Sequence, residues 1–306
     1  MSYPAKILLF GEYGIILNSM ALAIPYPRFS GQFRWTNSST ENPLLTVLES
    51  NKELKNLSAY LKNVAGKFQF LDLNLFEDEL NRGLHFDSSI PIGSGLGSSG
   101  ALSAAIYDRY VILRSLNDYQ LFKTELGAIE SFFHGKSSGF DPLISFLKRS
   151  VMIDNQSSVI TGIDLAPLFN NYTLFLVNTN AKGDTGALVS YFLENYKNHD
   201  FKNSIDNEYI PLVNEVIGSV INNDFDSFDE LIGRYSEFQL THFVAMVPVN
   251  LRKHFEHGIG SGDFYLKLCG SGGGGYMLGL APDRLKAESY FNLNHLEYMV
   301  VNHSEL

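Results

Sequence analysis

Pro91-Ile-Gly-Ser-Gly-Leu-Gly-Ser-Ser-Gly100 is a glycine- and serine-rich segment that runs directly into the alanine-rich stretch Ala101 to Leu113. Glycine tolerates positive φ and has no Cβ, so backbone N–H groups in such a segment can surround a ligand. The alanine-rich stretch predicts a helix, whose first N–H groups and dipole add to the same anion site. The segment therefore predicts a receptacle for a polyanion such as a nucleoside triphosphate.

Two standard nucleotide loops fit this sequence poorly. Gly95-x-Gly-x-x-Gly100 matches the dinucleotide-binding fingerprint in its letters, but Pro91 interrupts the strand that such a loop needs. Gly135-Lys136-Ser137 matches the end of a P-loop, but Glu130 stands where that motif has its first glycine. A glycine-rich surface turn is the structural alternative, and the immediate start of a helix argues against it.

The composition is that of a packed globular protein rather than a nucleic-acid or membrane protein. The chain has 306 residues and 45% hydrophobic content, which favours two ordinary domains. A formal net charge of −10 argues against nucleic acid as a partner. One cysteine, Cys269, excludes an intrachain disulfide framework, and no apolar stretch reaches the ~18 residues of a membrane span. We therefore expect a cytoplasmic protein with a small-molecule substrate and no membrane partner.

Hydrophobic periodicity predicts mixed strands and helices along the chain. Strands are expected at 6–10, 173–178, 265–268 and 276–280, and helices at 44–65, 101–114, 119–133, 184–197, 208–222, 226–240 and after Pro282. This order predicts an α+β protein of two lobes, with domains at residues 1–168 and 169–306.

Three segments share their order and spacing with a known family. They are Lys6-Ile-Leu-Leu-Phe-Gly-Glu-Tyr-Gly14, the glycine loop with Ser98 and Ser99, and Lys267-Leu-Cys-Gly-Ser-Gly-Gly-Gly-Gly275. Together they resemble the GHMP kinase superfamily over nearly the whole chain. A fourth segment, Glu130 to Pro142, looks like the region that the mevalonate kinase branch uses for metal and catalysis. The resemblance implies an N-terminal lobe like ribosomal S5 domain 2 and a ferredoxin-like C-terminal lobe.

The resemblance also implies ATP and Mg²⁺ as ligands and assigns roles by position. The ATP phosphates would lie on the backbone of Gly93, Ser94, Gly95, Leu96, Gly97, Ser98 and Ser99. Ser99 and Glu130 match the metal-binding positions, Asp141 the catalytic aspartate and Lys6 the lysine beside it. The substrate side would include Glu12, Tyr13, His134, Thr185 and Gly272.

Each of these residues has a structural alternative. Glu130 could be a solvated surface acid, since that is the usual environment of glutamate. Asp141 before Pro142 is a common turn or helix-cap arrangement, and Ser98 could serve only as a cap. For His134, a structural hydrogen bond is the favoured interpretation over a catalytic role.

The predicted function is ATP-dependent phosphorylation of a small alcohol. The resemblance favours mevalonate, an intermediate of isoprenoid biosynthesis, as the acceptor. Mevalonate kinases usually carry histidine where this chain has Tyr13, whereas Gly-Glu-Tyr is common in bacterial phosphomevalonate kinases. Phosphomevalonate or another GHMP acceptor therefore stays open, as does a homodimer. A non-catalytic nucleotide sensor is the alternative from another class, and retention of Lys6, Ser99, Glu130 and Asp141 together argues against it.

Overall fold

The computed structural model describes residues 1–36, 45–64, 66–113 and 118–305. Helices and antiparallel sheets are mixed along the chain, so the expected α+β class is confirmed. Contacts divide the chain into two compact units. Unit 1 contains residues 1–6, 26–90 and 97–148, and unit 2 contains residues 7–25, 91–96 and 149–306. The domain boundary at 168/169 stays a prediction.

Two long strands contribute residues to both units: β1 (Ser2–Phe10) and β2 (Ala21–Trp35). In unit 1, β3 (Leu84–Ser88) pairs antiparallel with the second half of β2, with Phe33 opposite Phe86. The helices of unit 1 are α1 (Leu45–Asn63), α2 (Leu73–Asn81), α3 (Ser98–Tyr110), α4 (Tyr119–His134) and α5 (Phe140–Leu147).

Small residues allow α3 to pack closely against α5. A Cβ on Gly100 would lie 3.0 Å from the backbone at both Asp141 and Pro142, which only glycine accommodates without a shift of its neighbours. Ala101, Ala104 and Ala105 are fully buried in the same helix. This close packing fixes the start of α3 beside the start of α5.

Unit 2 contains two sets of paired strands. The first residues of β2 pair with β4 (Val151–Ile153), which pairs with β5 (Val159–Thr161). A separate antiparallel sheet has the order β7-β8-β6-β9, formed by β6 (Thr173–Asn178), β7 (Tyr265–Leu268), β8 (Tyr276–Ala281) and β9 (Tyr298–Val301). The helices of unit 2 are α6 (Ala166–Asn171), α7 (Thr185–Asn195), α8 (His199–Ser204), α9 (Ile210–Ile221), α10 (Phe225–His242), α11 (Val249–Ser261) and α12 (Arg284–Leu293).

The helix after the glycine loop begins earlier than the sequence suggests. It starts at Ser98 rather than Ala101, because Gly97 caps it with a φ of +78°, and it ends at Tyr110. Leu44, Ala65 and Arg114, at the ends of two predicted helices, lie outside the described residues. Within the described part of the chain, no helix combines the length and apolar character needed to cross a membrane.

Candidate active site

The first half of the glycine loop, residues 91–96, belongs to unit 2 and lies against the glycine-rich segment 270–275. The N–H of Tyr276 donates to the carbonyl of Ser94 at 3.1 Å. A Cβ on Gly95 would overlap the Cys269 carbonyl oxygen, so the two backbones approach as closely as glycine permits. Gly93 accepts a hydrogen bond from the N–H of Gly183 at 3.2 Å. These contacts give the loop a fixed backbone path.

Not every N–H group of this loop is available to a ligand. The N–H of Leu96 donates to the Ser94 hydroxyl at 3.3 Å, and the Leu96 side chain is fully buried. Leu96 and Ser94 thus stabilise the loop internally. Their predicted contact with ATP stays a prediction.

The second half of the loop opens α3 in unit 1. Gly97 is the N-cap, and the carbonyl of Gly97 accepts the first helical hydrogen bond from Ala101 at 2.9 Å. Ser98 and Ser99 are therefore the first helical residues, whose N–H groups have no partner within a helix. The start of α3 presents backbone donors and a positive dipole end, which suit a phosphate group.

Lys6 and Asp141 form an ion pair within unit 1. The Lys6 Nζ lies 3.0 Å from an Asp141 carboxylate oxygen; the Lys6 side chain is 2% exposed and that of Asp141 32% exposed. The stem of Lys6 lies under Gly97, where a Cβ would be 2.8 Å from the Lys6 Cγ. Lys6 is thus held in place, while the carboxylate of Asp141 is accessible. Such a carboxylate can accept a proton, and the ammonium can stabilise negative charge.

Glu130 is a buried carboxylate in the same unit. It lies on the last turn of α4, one helical turn before His134, so both side chains project from one face. The Ser99 hydroxyl donates to Glu130 Oε1 at 3.1 Å and lies 2.9 Å from His134 Nε2. The Ser137 hydroxyl donates to the other oxygen of Glu130. The structure therefore brings Ser99, Glu130 and His134 together, and adds Ser137.

The electrostatics of Glu130 differ from those of a surface acid. Burial, and next the negative charge of Asp141, raise the pKa of Glu130 to about 7, although hydrogen bonds from Ser137 and Ser99 oppose the shift. A carboxylate in this environment gains much from a cation. The surface-acid alternative for Glu130 is excluded, because its side chain is 4% exposed.

Glu12 occupies a buried network in unit 2 with Lys267, Tyr209, Tyr235 and Gln239. The side chains of Glu12 and Lys267 form an ion pair and are both 0% exposed. The hydroxyl of Tyr235 donates to Glu12 Oε2 at 2.6 Å, and that of Tyr209 donates to the Glu12 carbonyl at 2.9 Å. The role predicted for Glu12 on the substrate side stays a prediction.

Tyr13, Thr185 and Gly272 come together around Ser271, also in unit 2. The Tyr13 hydroxyl donates to the Ser271 carbonyl at 2.6 Å, and the Ser271 hydroxyl donates to Thr185 Oγ1 at 3.0 Å. Gly272 follows with a φ of +73°. Burial, and next the charge of Glu12, raise the pKa of the Tyr13 hydroxyl well above its ordinary value, so Tyr13 is neutral at physiological pH.

Aromatic rings fix the orientation of Tyr13. Its ring stacks on Phe192 at 4.6 Å between centroids and lies 5.3 Å from the ring of Phe243. Its backbone has a φ of 58°, which is unusual for a residue with a bulky side chain. The surrounding contacts thus hold Tyr13 in one conformation.

Sequence reasoning gave no role to several residues of these clusters. They are Ser137, Tyr209, Tyr235, Gln239, Lys267 and Ser271. One signal was present: Lys267 interrupts the otherwise apolar strand Tyr-Leu-Lys-Leu, and a lysine in a buried strand requires a charged partner. The tyrosines carried no such signal, since their ordinary role is to fill a core.

Comparisons with known proteins find relatives along nearly the whole chain. Residues 59–149 match the GHMP kinases N terminal domain. A mevalonate kinase from Thermococcus sibiricus is 25% identical, with 92% of this chain and 89% of that protein covered, and one from Pyrococcus furiosus is 26% identical over the same shares.

Solved structures share the fold over nearly the whole chain. A mevalonate kinase from L. major in complex with R-mevalonate superposes with a TM-score of 0.67 at 15% identity, covering 98% of this chain and 95% of that one. A Streptococcus pneumoniae phosphomevalonate kinase gives a TM-score of 0.66 at 16% identity, covering 98% and 99%. Residues 59–149 thus match a GHMP kinase N-terminal domain, the chain has the fold of these kinases along nearly its whole length, and its mevalonate kinase relatives indicate an ATP-dependent kinase that acts on an alcohol.

Proposed function

We propose that this chain transfers the γ-phosphoryl group of ATP to the hydroxyl group of mevalonate. The observation that carries the proposal is the Lys6–Asp141 ion pair, 3.0 Å long, beside the start of α3 in unit 1. The names of the relatives from Thermococcus sibiricus and Pyrococcus furiosus supply the acceptor.

The glycine loop would bind the phosphates of ATP. Gly93, Gly95 and Gly97 all have positive φ values, of 71°, 79° and 78°, which turn the backbone away from its usual path. The N–H groups of Ser98 and Ser99 at the start of α3 would add donors and the helix dipole. We expect this backbone, rather than a large set of side chains, to supply most of the phosphate contacts.

Asp141 and Lys6 would carry the transfer itself. The accessible carboxylate of Asp141 accepts the proton of the acceptor hydroxyl while that oxygen forms a bond to the γ-phosphorus. The bond between the γ-phosphorus and the bridging oxygen breaks, and ADP leaves with the electron pair. Lys6, held beside Asp141, stabilises the negative charge on the transferring group. Positioning and charge neutralisation account for most of the expected rate enhancement.

Glu130 and Ser99 fit a magnesium ion by the chemistry of their donor atoms. Both offer hard oxygen atoms, and the pKa of Glu130, raised to about 7, indicates a buried carboxyl group that a nearby cation would stabilise in its charged form. Among the residues that the structure describes, no three or more His, Cys, Asp or Glu side chains converge on a metal site. When bound with ATP, Mg²⁺ would supply charge neutralisation to the phosphates.

The test is an acceptor panel with ATP and Mg²⁺, followed by mass spectrometry of the products. The panel contains mevalonate, phosphomevalonate, homoserine and galactose at equal concentration. We expect a mass gain of one phosphoryl group on mevalonate, with the highest kcat/KM of the four.

The other outcomes are equally informative. Transfer to phosphomevalonate with a higher kcat/KM would show that the Gly-Glu-Tyr sequence at residues 11–13 was the better guide to the acceptor. ATP binding without transfer to any compound would contradict the proposed acceptor and favour a nucleotide sensor.

A further inference from the structure

Unit 2 buries a lysine and a glutamate that the phosphoryl transfer proposed above does not use. Lys267 lies on β7 and Glu12 follows β1, and both side chains are completely excluded from solvent. The Lys267 Nζ also donates to the carbonyls of Leu8, at 3.3 Å, and Leu268, at 2.6 Å. A buried ion pair is costly to desolvate and is weak evidence for a purely stabilising role.

The partners of Glu12 hold both its carboxylate oxygens and its backbone carbonyl. One carboxylate oxygen pairs with Lys267, and the other accepts from Tyr235 at 2.6 Å and from Gln239 Nε2 at 3.4 Å. Its backbone carbonyl accepts from Tyr209 at 2.9 Å. Glu12 therefore cannot rotate towards a ligand without breaking several buried interactions.

The turn that contains Glu12 also carries Tyr13. The N–H of Gly14 donates to the Glu12 carbonyl at 2.6 Å, which closes the turn tightly. Tyr13 follows Glu12 in this turn and has a positive φ. Its hydroxyl donates to the Ser271 carbonyl, and the Ser271 hydroxyl donates to Thr185 Oγ1. Fixing Glu12 thus fixes the geometry of Tyr13, Ser271 and Thr185.

We propose that Lys267 is a positioning residue for the acceptor side of the reaction, acting through Glu12 on Tyr13 and Ser271. The inference rests on the proposed function and on the expectation, implied by the family resemblance, that Tyr13 and Thr185 lie on the substrate side. The contacts that hold the first half of the glycine loop, at Gly93, Ser94 and Gly95, involve neither the Lys267 nor the Glu12 side chain. Loss of the pair should therefore affect the acceptor more than ATP.

The experiment compares the double variant Glu12→Gln/Lys267→Met with wild type and with Ser236→Ala. Removing both charges together avoids leaving one buried charge unpaired, so the double variant should fold. Ser236→Ala is a matched control, because Ser236 makes a buried 2.6 Å bond from α10 to the Leu266 carbonyl on β7 without reaching Glu12. Tyr235→Phe is a milder second variant: it removes the hydroxyl that donates to Glu12 Oε2, accepts from the Gly11 N–H at 3.3 Å and bonds the Tyr209 hydroxyl at 3.0 Å, and it leaves the Glu12–Lys267 ion pair in place.

We expect the KM for mevalonate to rise at least about tenfold in the double variant while the KM for ATP changes less than about threefold. Tyr235→Phe should give the same pattern at smaller amplitude, and Ser236→Ala should leave both KM values within about twofold of wild type. A purely structural role would lower the folded fraction and hence kcat, but not shift one KM selectively. Equal KM values in wild type, Tyr235→Phe and the double variant would overturn the proposal.

Hydrogen exchange separates this inference from the proposed function. We expect faster amide exchange at residues 11–14 in the double variant, with residues 93–96 unchanged. If wild type phosphorylates no acceptor of the panel, the proposed function fails. Amide hydrogen exchange then tests the positioning role of Lys267 independently of activity. Unchanged exchange at residues 11–14 would overturn the positioning role.

Discussion

The ammonium group of Lys6 lies 3.0 Å from the carboxylate of Asp141, a contact between β1 and the first turn of α5. The Lys6 side chain is buried, whereas the Asp141 carboxylate is accessible to solvent. The buried lysine cannot move away to find another partner in solvent. The partly exposed carboxylate can therefore meet an acceptor hydroxyl in one defined orientation.

Replacing Asp141 with asparagine should abolish most of the activity without preventing nucleotide binding. The amide keeps the size of the side chain but is a far weaker proton acceptor, and loss of a general base lowers the rate by about 10²–10⁴-fold. We expect kcat to fall within this range and the Kd for ATP to change less than about threefold. Steady-state kinetics and calorimetric titration measure the two quantities.

A matched control for this variant is Asp78→Asn, at an exposed aspartate on α2 of the same unit. It should leave kcat unchanged. Full turnover in Asp141→Asn would remove Asp141 from the mechanism.

Replacing Lys6 with methionine should lower kcat by about 10²-fold or more, because it removes the charge that stabilises the transferring group. Methionine retains an unbranched apolar stem, so the packing beneath Gly97 should largely survive. The measurement is kcat at saturating ATP and acceptor, together with the melting temperature. Loss of kcat that simply follows loss of folded protein would contradict a chemical role for Lys6.

The raised pKa of Glu130 predicts a pH-dependent stability in the absence of ligands. The folded pKa is about 7, whereas the ordinary value is 4.5, so the folded protein retains this proton at pH values where the unfolded chain has lost it. The contribution of Glu130 is therefore fully present below about pH 4.5 and is lost as pH rises through about 7. The loss in free energy of unfolding is of the order of 3 kcal/mol.

Urea unfolding of wild type and Glu130→Gln between pH 5 and 8 tests this dependence. As pH rises, wild type should lose unfolding free energy relative to Glu130→Gln, because glutamine cannot ionise and Glu130 can. Glu49→Gln, at an exposed position on α1, serves as the control. Parallel pH curves for wild type and Glu130→Gln would show that Glu130 titrates normally.

Replacing Gly95 with alanine should disrupt the glycine loop. The new Cβ would overlap the Cys269 carbonyl oxygen and would also be strained at a φ of +79°. We expect a loss of at least about 2 kcal/mol in unfolding free energy and a clear rise in the Kd for ATP. Denaturant unfolding and nucleotide titration measure these changes.

Gly162→Ala separates the two causes in this variant. Gly162 has a similar φ of +73°, but a Cβ there meets nothing within 4 Å. It should cost only the backbone strain and leave ATP affinity unchanged. Equal effects of the two substitutions would show that contact with Cys269 does not matter.

The sequence was most informative where binding an anion requires several glycines and serines close together. The glycine and serine segment 91–100 indicated an anion site because few other structures require three closely spaced glycines before a helix. The pairing of Lys6 with Asp141 followed from the family resemblance, and the structure confirms that these side chains meet. Their chemical roles stay predictions.

Long-range partnerships were harder to predict. β2 is 15 residues long but contains Pro25, Pro27 and Gly31, which weaken any strand signal, and it is not among the predicted strands. The Glu12–Lys267 pair joins opposite ends of the chain, and nothing local to either residue identifies the other. Such contacts depend on the tertiary fold rather than on local propensity.

The most direct test of the central claim is transfer of an isotopically labelled γ-phosphoryl group from ATP to mevalonate, followed by mass spectrometry. The proposed function predicts one labelled phosphoryl group per mevalonate with wild type, and almost none over the same time with Asp141→Asn. Labelled inorganic phosphate without phosphorylated mevalonate, or equal transfer by both proteins, would contradict it.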